Sequence, residues 1–252
     1  MTDLKNAKYL KILSVAAALV LWQIVAARVG MDMLLASPVQ VLARLATIWR
    51  EPGFVRTVLF SFFRISAGFL AAFLAGIVLG IAAGRFSILE LLLWPYVVAV
   101  KTVPIASFVI LCLIWMDYHQ LTVLIAFLIV FPVIYSNVLQ GIKSTDVKMK
   151  ELASLYRLPW VRQLVYIYFP SIKPYLISAS AVSVGMAWKA GVAAEVIGIV
   201  DGSIGEMLYQ AKIYFQNADL LCWTIVIILL SVVTEKLFVL LLKAFFRGVE
   251  RL

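Results

Sequence analysis

Five ionisable side chains stand inside long apolar runs of the chain: Arg64, Lys101, Lys189, Glu195 and Glu235. A charge in hydrocarbon is costly, so such groups pair with one another, meet water or mark a pathway. Lys189 and Glu195 are six residues apart, about 240° around a helix of 3.6 residues per turn, so on a straight helix they do not face each other. Lys101 lies between Pro95 and Pro104, where kinks are expected to free backbone carbonyls. Lys101, Pro104, Trp188, Lys189 and Glu195 are therefore the expected lining of a polar central pathway. The alternative is charge compensation between helices. Trp188 is mid-span beside Lys189 and could stack on a planar group. Arg64 and Glu235 read as structural or interfacial.

Other reactive chemistry is sparse. The single histidine, His119, has no partner set for a metal, and metal ligands are expected to be none. Cys112 and Cys222 sit in apolar runs and read as core residues. There is no His-Glu-x-x-His motif and no convincing Ser-His constellation, which argues against an intramembrane enzyme. A Gly-x-x-x-x-Gly-Lys-Ser/Thr phosphate loop is also missing from the sequence, so no catalytic residue is assigned and ATP hydrolysis is not expected in this chain.

These residues must be positioned by helices in a membrane. Of the 252 residues 64% are hydrophobic and 14% charged, and mean hydropathy is +1.04. Soluble domains run at about half apolar and a quarter charged. The composition excludes a disordered chain, a soluble enzyme and a disulfide scaffold. Apolar runs fall at 9–29, 58–84, 88–116, 121–139, 174–200 and 220–242, each long enough for the roughly 20 residues that span a bilayer. The first follows Lys5, Lys8 and Lys11 and resembles a signal peptide, with Val25-Ala26-Ala27 as a small-residue site; it is read as a retained first transmembrane helix.

Charge sets the orientation. The net charge is +9, which in a membrane protein reads as cytoplasmic loops rather than nucleic-acid binding. The amino terminus and the segment with Lys143, Lys148, Lys150, Arg157, Arg162 and Lys173 are expected inside, so an even number of spans separates them. The 88–116 run then crosses once, as one kinked span. The expected fold is all-α, a polytopic membrane protein of about six transmembrane helices, with both termini cytoplasmic. Lys243, Arg247 and Arg251 fit this arrangement. Arg28, Arg44, Arg50 and Arg56 fall on the outside against the rule, beside an amphipathic stretch, 38–49, expected to lie along the interface.

Gly68, Ala72, Gly76, Gly80 and Gly84 recur every four residues on one helix face. Small residues at this spacing let backbones approach closely in lipid, so helix packing is expected here, with a pore-lining role as the alternative.

The longest basic loop, about 143–173, holds Glu151-Leu152-Ala153-Ser154-Leu155-Tyr156-Arg157-Leu158-Pro159 and then Ile167-Tyr168-Phe169-Pro170. Ser144-Thr145-Asp146 offers amino-terminal caps for a short helix, and Pro159 is expected to end it. Leu152, Leu155 and Tyr156 share an apolar face.

This loop resembles the EAA loop of binding-protein-dependent ABC importer permeases. That pattern is Glu-Ala-Ala, three residues, Gly, nine residues, then Ile-x-Leu-Pro. Glu151, Ala153, Ile167 and Pro170 fall on it; Leu152, Arg157 and Phe169 replace an Ala, the Gly and the Leu. With Arg157 in place of the Gly, the bend is assigned to Pro159. Ser61-Phe62-Phe63-Arg64 with Gly68, Val103-Pro104-Ile105-Ala106, Ala194-Glu195-Val196-Ile197-Gly198 and Gly202-Ser203-Ile204-Gly205 are similar to further parts of the family, closest to its nitrate, sulfonate and taurine class, which also includes importers of pyrimidine precursors.

The resemblance implies a type I ABC importer permease fold, with 1–252 a single transmembrane permease domain in the bacterial inner membrane. It implies a second permease copy in a homodimer, an ABC ATPase dimer that binds ATP and magnesium, an extracytoplasmic substrate-binding protein and a surrounding lipid bilayer. Glu151, Ala153, Leu155, Tyr156, Arg157 and Pro170 are the implied ATPase-coupling residues. A sulfonate, taurine or nitrate is the implied substrate, with a pyrimidine or other heteroaromatic nutrient as the alternative. An ion-coupled secondary transporter remains the competing class. It would use the intramembrane Lys and Glu for coupling, though the inverted repeat of many such folds is not seen.

Overall fold

The computed structural model describes residues 2–31 and 34–249, and the side chains among them other than those of residues 2–8, 11, 119 and 249. Arg251 and the side chains of Lys5, Lys8, Lys11 and His119 lie outside the described residues.

The described chain is helical. In order, the helices are α1 (Thr2–Val29), α2 (Pro38–Ile48), α3 (Phe54–Arg85), α4 (Ser87–Thr102), α5 (Ile105–Trp115), α6 (Tyr118–Lys143), α7 (Val147–Leu155), α8 (Trp160–Gln163), α9 (Phe169–Gly198), α10 (Ile204–Ile213) and α11 (Asn217–Val249). A π-helical turn, Leu164–Tyr168, joins α8 to α9. Among the described residues five helices are long and apolar enough to cross a membrane, and up to six spans result if α4 and α5 form one broken span.

The small-residue face of α3 meets α6. A Cβ on Gly68 would collide with the Val123 carbonyl oxygen. On Gly76 it would stand 2.9 Å from the Ile134 Cβ, on Gly80 2.8 Å from Val138 Cγ1, and on Gly84 2.7 Å from Ile142 Cδ1. Residue numbers rise together along the contact, so α3 and α6 are parallel. The chain must therefore return along the bundle between Arg85 and Tyr118. α4 and α5 make that return, with a 106° bend between them. The 88–116 run, expected as one kinked span, is two helices with a sharp break between them. Pro95 is accommodated inside α4, and the helix breaks only at Val103–Pro104, where Pro104 becomes the cap of α5. A proline has no N–H to continue the ladder and disfavours helix at the residue before it.

α9 runs antiparallel to α6: Gly141 meets Ile172, while Gly198 meets Leu121. α11 runs parallel to α3, since Phe54 stacks on Trp223 and both Phe69 and Phe73 meet Phe238 edge-on, with centroids 4.7 and 5.1 Å apart. One end of the bundle thus carries Arg85, Lys143, α7 and Phe246. The other carries α2, Tyr118, α10 and Trp223.

The amphipathic stretch forms α2. Ser37 and Gln40 cap it reciprocally, Gln40 N–H donating to Ser37 Oγ at 3.3 Å and Ser37 N–H to Gln40 Oε1 at 2.8 Å. Val41 and Ile48 are buried. Arg44, whose outside placement opposed the charge rule, is neutralised by Asp219 of α11 and by Glu51.

Gly76→Ala should lower unfolding stability by about 1–3 kcal/mol through overpacking against Ile134. Gly185→Ala, where an added Cβ meets nothing within 4 Å, should not. Denaturant unfolding of the two purified variants in detergent checks this.

Candidate functional site

The 143–173 loop projects from one end of the bundle as α7. Asp146 caps it, its carboxylate accepting from Lys148 N–H at 2.9 Å. Ala153 faces inward, 1% exposed, whereas Leu155 and Tyr156 are 78% and 69% exposed. Glu151 and Arg157 are exposed as well. Large apolar side chains on a short charged helix form a surface suited to burial against another protein.

The turn after α7 corrects the expectation placed on Pro159. Arg157 itself adopts the left-handed conformation, with φ +46°. Leu158 N–H bonds to Ala153 O at 2.9 Å and Arg157 N–H to Ser154 O at 3.0 Å. This is the paired closure that usually uses glycine at the left-handed position. Pro159 lies beyond the bend and caps α8. The left-handed backbone costs a non-glycine residue about 1–2 kcal/mol.

The return limb is tied to the bundle. The Arg85 guanidinium lies 4.3 Å from the Trp160 ring centroid, and Trp160 packs on Tyr168 at 5.1 Å. Ile167 is buried and Pro170 is exposed in the first turn of α9. On the other limb, Lys143 of α6 pairs with Glu90 of α4 at 2.5 Å. Both ends of the loop are thereby fixed to membrane-spanning helices.

The expected pathway residues do not come together. Glu195 is fully buried at the α10 end of the bundle. Its Oε2 accepts from Ser61 Oγ at 2.8 Å and from Gly205 N–H at 3.3 Å, and Ser61 Oγ accepts from Ile204 N–H at 2.9 Å. The carboxylate thus stabilises the first turn of α10, where unpaired N–H groups and the helix dipole favour negative charge. A Cβ on Gly205 would collide with the Glu195 backbone, so glycine permits this approach. Ile199 closes α9 in the left-handed region, φ +47°, with Val200 N–H bonding to Glu195 O at 3.1 Å.

Lys101 is elsewhere. Its ammonium donates to Ser136 Oγ at 2.8 Å. Glu195 lies at the level of Thr122, fourteen residues from Ser136 on α6, or roughly 21 Å along the axis. Lys189 is exposed. Trp188 is 1% exposed and packs against Phe62, centroids 6.3 Å apart, so it offers no open face for stacking. Arg64 lies over the Phe60 ring at 4.2 Å.

Sequence reasoning missed the roles of Ser61, Ser203 and Gly205, although all three sit in the short motifs quoted above. Ser203 caps α10 through Glu206 N–H at 3.0 Å. Ser61→Ala should cost about 1–3 kcal/mol, because the Ile204 N–H and a Glu195 oxygen lose a buried partner; thermal unfolding against wild type reads this. Arg157→Gly should raise stability by about 1 kcal/mol by relieving the left-handed backbone, in the same assay.

Residues 72–251 match the family described as the binding-protein-dependent transport system inner membrane component. A putative aliphatic sulfonates transport permease protein of Bacillus subtilis is 30% identical over 73% of this chain and 66% of its own length. A nitrate import permease protein of Synechococcus elongatus is 29% identical over 77% of this chain and 72% of its own. The crystal structure of an amino acid ABC transporter with histidines superposes with a TM-score of 0.52 at 18% identity, covering 77% of this chain and 96% of that one; this likeness concerns the fold. Its relatives are permease components rather than enzymes. This helical membrane chain belongs to the family of binding-protein-dependent transport system inner membrane components.

Proposed function

We propose that this chain is the permease subunit of an ATP-driven importer and that α7 is the element through which ATPase closure moves the spans. The observation that carries this reading is α7 itself. It presents Leu155 and Tyr156 to the outside, with Glu151 and Arg157 beside them, while both its limbs are tied to the bundle through Arg85–Trp160 and Glu90–Lys143. A surface held this way transmits a push to packed helices, which switch between discrete arrangements rather than deform continuously. Leu155 and Tyr156 bury in a groove of the ATPase, and Glu151 or Arg157 pairs at its rim.

The partners in this reading are an ATPase dimer carrying ATP and magnesium, an extracytoplasmic binding protein that delivers the substrate, and a second copy of this chain. The α7 end faces the cytoplasm of a bacterium, in keeping with Arg85, Lys143, Lys148, Lys150, Arg162 and Arg247 at that end. Both termini lie on that side. The substrate is a small anion such as a sulfonate, taurine or nitrate, which follows the names of several relatives and the intramembrane lysines. Trp188 is buried, so the alternative of a heteroaromatic substrate rests instead on a relative named as a formylaminopyrimidine transport permease protein, 28% identical over 73% of this chain.

Tyr156→Asp should abolish co-purification of the ATPase while leaving the helical far-UV spectrum unchanged. A buried aromatic anchor is worth about 2 kcal/mol or more at an interface. Unaltered co-purification and transport would reject the role given to α7.

A further inference from the structure

A groove between α4 and α6 shares its Glu90–Lys143 wall with the anchor of the coupling loop but is otherwise used by neither that loop nor the Glu195 clamp. It encloses about 270 Å³ and is lined by Lys101, Tyr135, Ser136 and Gln140, with Glu90 and Lys143 also on its wall. That volume falls just below the roughly 300–1,000 Å³ of sites for drug-sized ligands, so it suits a small solute.

Three features point to a ligand. The first is charge. Glu90 and Lys143 pair with each other, so the groove keeps the one positive charge of Lys101, which has no carboxylate within 4 Å among the described residues. The second is an orphaned donor. Tyr135 is 3% exposed, and its hydroxyl is buried with no hydrogen-bond partner. A buried hydroxyl left unpaired costs about 1–3 kcal/mol, which an incoming acceptor would recover. The third is preorganisation. Ser136 Oγ accepts from Lys101 at 2.8 Å and donates to Pro132 O at 2.7 Å, so the ammonium is held by a hydroxyl that is itself fixed. Lys101 also sits in the last turn of α4, where the helix dipole favours a cation. An ammonium within a span faces water or a partner rather than lipid; Ser136 is such a partner, and Lys101 remains exposed beyond it.

We propose that this groove is a binding station for a small monoanion, in which Lys101 supplies the charge and the Tyr135 hydroxyl and Gln140 carboxamide donate hydrogen bonds to its oxygens. Ser136 acts as a positioning residue for Lys101. The proposal rests on the importer reading and narrows its substrate class. A single positive charge balances a monoanion. A dianion would leave net negative charge at depth, and a neutral solute would leave the ammonium unbalanced.

The test uses the assembled complex of this chain with its ATPase, in lipid nanodiscs, titrated with ethanesulfonate. Trp94 lines the groove, so its emission reports occupancy, and Trp94→Phe identifies that share of the signal. The expected result is a saturable change that Trp94→Phe removes. Lys101→Met should weaken ethanesulfonate by about tenfold or more, Lys101→Arg by about threefold or less, and Tyr135→Phe by about three- to tenfold. Sulfate should bind about tenfold more weakly and cytosine should give no groove signal. Unchanged affinity in both Lys101→Met and Tyr135→Phe overturns the proposal, as does no response to ethanesulfonate in a complex that assembles and hydrolyses ATP. Failure of any ATPase to co-purify with wild type is a different result: it overturns the importer reading, and this station with it.

Discussion

Where α3 passes α6 there is no room for side chains on α3. Gly68, Gly76, Gly80 and Gly84 bring the two backbones together over most of their length. In lipid no water is released by burying apolar groups, so this close fit supplies dispersion that larger residues would forfeit. Much follows from it. Because the two helices are parallel, the chain between them must travel back along the bundle. Sixteen residues of α4 and eleven of α5 do so with a sharp break. The break sets Lys101 at the end of α4 and opens the groove against α6.

The two ends of the bundle are finished by different physics. At the α10 end, one carboxylate organises the polar groups. Glu195, Ser61 and the N–H groups of Ile204 and Gly205 form a connected set. A buried set of this kind is stiff because each missing bond leaves an uncompensated charge or dipole. Arg44, Asp219 and Glu51 do similar work nearer the surface. At the α7 end the polar groups are exposed, and apolar residues are left facing outward instead. The contrast is between a buried carboxylate bonded through Oε2, with Oε1 left without a partner among the described residues, and an end where Leu155 and Tyr156 face outward.

Much of this was legible in the sequence. Apolar runs located the spans within a few residues, though α3, α9 and α11 extend further than the runs that announced them. Extra turns are stabilised by the helices they pack against, which a local hydropathy pattern does not include. The cap at Asp146 and the amphipathic α2 were also readable, because capping and periodicity act over only a few residues.

What the sequence determined by itself was local: which segments are apolar, which face of α3 is small, and where a short charged helix interrupts the spans. Which helix that small face would meet, and in which direction, was decided by tertiary structure. So were the burial of Trp188 against Phe62 and the separation of Lys101 from Glu195, two intramembrane charges that spacing alone could not tell apart. The turn at Arg157 shows the same division. Local preference favours glycine there, but bonds to Ala153 and Ser154 and the anchored limbs on either side hold an arginine in the left-handed region. Side-chain periodicity reports a direction from the helix axis. The partner found in that direction depends on the whole packed bundle, where contacts distant in sequence outweigh local preferences of about 1 kcal/mol.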